Sequence, residues 1–265
     1  MILKPRDFVL SLTVALGILF VLAPPLNAQA PKTRREALGS QRATQMETLL
    51  QSLYPGATVE WEPELAVRLG SQAPIPIDVG DFKVNSQPDG SLTIATVVEA
   101  GTAKRDYIEK VKKFQVTSPQ AFTSTIVVLR TDASGKTVDL KKAVLDPNDP
   151  VTKINWFEVQ KWSPTGWPVL RLAYESYTLG SDSLITIDWD SLFDAATGSF
   201  LARIPSGIEV MKKNGEQTGE LLSAHRSSPT QIELTGNFTK KVIIYTCGDP
   251  CVVDGPTLLA QWAKP

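Results

Sequence analysis

The chain has 265 residues, with 27 basic and 28 acidic side chains, one histidine and two cysteines. A net charge of −1 gives no electrostatic reason to expect nucleic acid or an anionic membrane surface as partner. One histidine cannot supply the two or three ligands of a histidine-based zinc hydrolase, and two cysteines cannot build a disulfide scaffold.

Lys4 and Arg6 open the chain, an uncharged run follows from Phe8 to Ala23, and Pro24-Pro25 breaks it before the small residues Ala28 and Ala30. That order of charged, apolar and small residues is the order of a secretory signal. The run is shorter than the about 18–20 residues that cross a bilayer as a helix. Residues 1–30 therefore read as an export signal, with cleavage after Ala28 because Pro31 hinders cleavage after Ala30. An uncleaved signal is the one route to a membrane that the sequence offers. The expected location is exported, either periplasmic or secreted.

Residues 31–40 are polar and read as flexible. A helix is predicted from Ser40 to Leu53, where Ala43, Met46, Leu49, Leu50 and Leu53 recur at three- and four-residue spacings. Tyr54-Pro55-Gly56 stops it, and from Ala57 the apolar period changes to two. Strands are predicted at Ala57–Trp61, Leu65–Leu69, Phe82–Asn85 and Ser91–Val98. The prolines of Ala73–Asp78 favour an edge strand or extended loop there. A short internal helix fits Lys104–Phe114, with Tyr107, Ile108, Val111 and Phe114 on one face. A hairpin follows, Phe122–Thr131 returning as Lys136–Leu145, with Val138, Leu140 and Val144 facing one way. Asp146–Pro150 holds two prolines and is the best internal boundary.

The remaining chain reads as a β meander. Strands are expected at Val151–Trp162, Trp167–Thr178, Leu184–Trp189, Ser199–Ile204, Ile208–Lys212, Gly219–Ala224, Gln231–Thr235 and Lys241–Cys247, with Gly- and Pro-containing turns between them. The fold class is mainly β: antiparallel sheets arranged as a sandwich, meander or open barrel, with an N-terminal helix and one short internal helix. The expected organisation is a signal over 1–30, a flexible segment plus helix over 31–56, an α+β first half over 57–150 and an antiparallel second half over 151–265. The two halves form one domain or two.

His-Glu-x-x-His, Gly-x-Ser-x-Gly and Gly-x-Gly-x-x-Gly are all missing. Gly135-Lys136-Thr137 resembles the end of a phosphate loop, but Arg130 stands where that loop needs its first glycine. His225 sits in the polar stretch Ser223–Pro229, read as a loop, and carries no catalytic assignment.

Three chemistries remain. Cys247 and Cys251 bracket Gly-Asp-Pro and fit a structural disulfide across a tight turn, with a copper or thiol-disulfide pair as the alternative. Asp188 and Asp190 flank Trp189 on one strand face, with Asp194 just beyond and Glu175 on the preceding strand; they read as the solvated face of a strand, with calcium binding or a carboxylate hydrolase as alternatives. Trp156, Trp162, Trp167 and Tyr177 form an aromatic segment in which Trp156 and Trp162 are predicted to share a strand face. Such side chains fill a core or stack on sugar rings and peptides. Trp162 and Trp167 flank a turn and are expected to be the most exposed. No cofactor or metal is assigned. The functional expectation is a non-catalytic binding protein of the cell envelope or extracellular space, with a protein or glycan partner and those four aromatic residues as the contact surface.

Overall fold

A computed structural model describes residues 33–101, 109–115, 123–145, 152–228 and 230–263. The residues read as an export signal, the boundary predicted at Asp146–Pro150 and the first half of the predicted internal helix lie outside the described residues. The chain runs α1 (Arg34–Leu38), α2 (Ser40–Leu53), β1 (Ala57–Glu60), β2 (Ala66–Leu69), β3 (Ile75–Val79), β4 (Lys83–Ser86), β5 (Leu92–Ala100), β6 (Thr123–Thr131) and β7 (Thr137–Val144). It continues through β8 (Thr152–Trp162), β9 (Pro168–Leu179), β10 (Ser183–Asp194), β11 (Ser199–Lys212), β12 (Gln217–Ser228), β13 (Gln231–Gly236), β14 (Val242–Thr246), β15 (Cys251–Val252) and α3 (Gly255–Trp262).

The protein is mainly β, with two antiparallel sheets and few helices. The first sheet has the order β1-β2-β3-β5-β6-β7, with β4 also on β5; the second has β14-β13-β12-β11-β10-β9-β8. One short parallel bridge, β15 on β11, joins the second sheet. β5 and β6 are apolar on both faces because both are covered. Ile94, Val98, Val127 and Leu129 pack under Met46, Leu49 and Leu50 of α2. Ala95, Val97, Ile126 and Val128 point the other way, into a core shared with Leu170, Leu172, Tyr174 and Trp189 of the second sheet and Leu258 of α3.

Several expectations change. Residues 34–38 are not a loose segment: Thr33 and Glu36 exchange hydrogen bonds in a capping box that starts α1. Ala73–Asp78 is neither loop nor plain edge. Ile75 and Pro76 pair with β2 and Ile77–Val79 with β5, so β3 changes neighbour just past its proline. The two strands predicted around Pro205 are one. Pro205 is tolerated because β12 pairs only with Gly207–Met211 and because Pro205 stands opposite Trp189 at a bulge in the β10 ladder. Ser223–Ser228 is the second half of β12, and His225 stands opposite Glu233 on β13 rather than in a loop. On β7, a register shift beside Thr131 leaves Val138 exposed, and Val144 is exposed beyond the reach of α2. Residues 109–112 are helical, and Val111 packs on Tyr177 and Leu184. Helix α3 was not expected, although Asp254 caps it and a proline opens it.

Candidate functional site

The four aromatic residues do not form one exposed row. β8 and β9 pair with two register shifts, between Ile154 and Trp156 and between Val159 and Lys161. Each extra residue reverses the alternation of faces. Trp156 therefore stands opposite Ala173 on the outer face, whereas Trp162 stands opposite the buried Pro168 on the inner one. Trp167 is only 8% exposed and lies in the main core beneath Arg130, whose guanidinium carbon is 5.0 Å from the ring centroid. Tyr177 is 2% exposed, packed under Val111 with Lys112 Nζ 5.7 Å from its ring centre. Trp156 alone is largely open, at 42%.

Trp156 lines one depression, and Arg171, beside its ring, lines a second. The first, about 360 Å³, lies where the β8 edge of the second sheet passes the first sheet. Trp156 and Asn155 form one wall; Lys83, Asp78 and Asp81 stand on the other, and Phe157 is shared by cleft and core. Gly80 fits closely here, since a Cβ on it would come 3.4 Å from Phe157. The Arg171 guanidinium carbon is 5.4 Å from the centroid of the Trp156 ring. Arg171 in turn donates to both oxygens of Asp190, at 3.0 and 2.5 Å, which fixes its plane. That ion pair forms part of the wall of a second depression of about 500 Å³, lined further by Ala202, Ile204 and Leu222. It opens where β11 and β12 separate beyond Gly207. Lys83, Asn155 and Arg171 escaped the sequence reading because their meeting depends on sheet-to-sheet packing and on a bulge.

The carboxylates separate into different environments. Asp190 is committed to Arg171, and Asp194 accepts from the Ala196 N–H at 2.9 Å within its turn. Glu175 and Asp188 face each other across the β9–β10 ladder. Burial works against the charge of Glu175. Hydrogen bonds from Tyr177 and from Asn155 at 3.1 Å, with Lys153 at 3.4 Å, outweigh it and hold the carboxyl below its ordinary range. Asp188 has no such donors, and burial, then Glu175 and Glu209, push its carboxyl upward. Its Oδ2 lies over Gly207, where a Cβ would come within 2.5 Å. Neither carboxylate lines either depression.

Cys247 and Cys251 stand at disulfide distance, with sulfurs 2.09 Å apart and Cα atoms 5.0 Å apart. Both are buried in the main core, which separates them from solvent reductants and metal ions. No group of three or more His, Cys, Asp or Glu side chains suited to a metal ion occurs among the described residues. No family model, curated protein or solved structure matches this chain.

Proposed function

We propose that this chain is an exported, non-catalytic binding protein that holds an extended glycan or peptide along the β8 edge of its second sheet. The observation that carries this reading is the solvent-open indole of Trp156, backed by the Arg171–Asp190 pair and lining the depression between the sheets. An aromatic face held by a fixed partner suits stacking on a sugar ring or on peptide side chains. The amide of Asn155 and the charges of Lys83 and Asp81 supply orienting polar contacts. Export is supported by the charged, apolar and small-residue order of residues 1–30 and by a cysteine pair of the kind that persists in oxidising compartments.

A second reading, acid–base hydrolysis by Asp188 and Glu175, is favoured by one observation. Their environments push the two carboxyls in opposite directions, as an acid and its partner base require. The buried flank of that pair and its distance from both depressions weigh against it.

A melting-curve screen of the purified protein against oligosaccharides and unstructured peptides separates the two. A ligand at 100 times its dissociation constant adds about 2.7 kcal/mol of stability. Saturable stabilisation by an oligosaccharide or peptide that is recovered intact, lost in Trp156→Ala, supports binding, since stabilisation by exclusion neither saturates nor depends on Trp156. Turnover of that compound, abolished by Asp188→Asn, replaces the binding reading with the hydrolytic one.

A further inference from the structure

The first sheet carries a hollow of its own on the side away from Trp156. It occupies about 540 Å³ between the N-terminal half of α2, the β5–β6 surface and the β6–β7 turn. That volume is within the range of small-molecule sites. Its wall from α2 presents Gln41, Thr44, Gln45 and Thr48; its floor is Leu92 and Ile94; Ser134 closes the far end. No lining side chain is charged.

Thr131 completes the wall. It is 4% exposed, and its Oγ1 is buried without a hydrogen-bond partner. An unpaired buried hydroxyl costs stability and lacks a partner that the described residues supply. Thr131 is on the α2 side because it alternates with Val127 and Leu129 along β6, the extra residue of the neighbouring register shift being Val138 on β7. Ser52, further along α2, is satisfied by the Thr137 hydroxyl at 2.7 Å. The polar stripe of the helix is thus partnered at its C-terminal end and open over the hollow.

From this hollow we infer that the protein has a second binding site, for an uncharged polyhydroxylated molecule: a neutral sugar or polyol. A charged ligand would lose its hydration here without meeting a counter-charge. Amides and hydroxyls both donate and accept, which matches a ligand whose own hydroxyls do both. Leu92 and Ile94 offer a small apolar floor for its C–H face. Rotation of the Thr131 side chain would bring its buried, unpartnered hydroxyl to such a ligand.

Calorimetric titration of the purified protein with glucose, maltose and sorbitol tests this, with glucuronate and glucosamine as charged controls. Titration is preferred to melting because sugars raise melting temperatures by exclusion alone. The expected result is saturable binding of at least one neutral compound and none of its charged counterpart. Thr131→Val should weaken that binding about tenfold while leaving the unliganded melting temperature equal or higher, since it removes an unpaired hydroxyl. Gln45→Ala, on the helix surface, should weaken it too and keeps the test valid if the valine variant folds poorly. Trp156→Ala should leave it unchanged, so failure here is separable from failure of the groove at Trp156. No saturable binding of any neutral compound, equal binding of charged and neutral ones, or wild-type affinity in both hollow variants would overturn the inference.

Discussion

Trp156 and Trp167 show how residues of one type divide by position. Trp167 is enclosed by the main core, so Trp167→Ala should cost about 3–5 kcal/mol in urea unfolding. Trp156 contacts Arg171 on the surface, and Trp156→Ala should cost less than about 1 kcal/mol while removing ligand affinity. Asp188 is the residue with the clearest pH consequence. Its carboxyl titrates above the unfolded value, so the native state binds more protons in that window and stability falls as pH rises through it. Asp188→Asn should therefore raise the melting temperature at pH 7, and the gain should vanish below about pH 4, where the unfolded carboxyl is also protonated. Gly207→Ala should destabilise by driving a Cβ against Asp188, and Asp188→Ala should relieve most of that loss. A double-mutant cycle by thermal melting reads the coupling. The aromatic candidates were visible in the sequence, but which of them faced water was not, because one extra residue near Gln160 exchanges the faces.

At the scale of elements, α2 and most strands were legible because their apolar period is unbroken. The errors cluster where a long-range partner overrides a local signal. Pro205 reads as a breaker, yet it sits where β11 lacks a neighbour on its β12 side. The polar run at His225 reads as loop, yet β13 supplies a ladder for it. Helix α1 was legible in principle, since Thr33 and Glu36 carry the capping-box spacing. The disulfide was read from spacing alone and lies between β14 and β15. The loop it closes is short, so replacing both cysteines by serine should cost about 2 kcal/mol in loop entropy. Hydrogen exchange should then show the opening localised to β15 and α3, which follow directly on Cys251. Unchanged protection there would place the tie's effect elsewhere.

For the whole molecule, the sequence indicated two β-rich halves but not how they face each other. Both faces of β5 and β6 are buried, one under α2 and one against the second sheet, and that layering follows from packing rather than period. The shared core implies that the halves unfold together. Scanning calorimetry should give one transition with equal calorimetric and van't Hoff enthalpies, whereas two resolved transitions would contradict a common core. The proposed binding of an extended glycan or peptide rests on the exposed Trp156 at the seam of the sheets. The most direct test is to probe one array of glycans and peptides with the wild-type protein and Trp156→Ala side by side, both verified as folded. A binding role for Trp156 predicts a defined set of bound ligands whose apparent affinity falls at least tenfold in the variant, as for a contact at the centre of an interface. Equal binding by the two proteins, or no wild-type binding to any arrayed ligand, would contradict it.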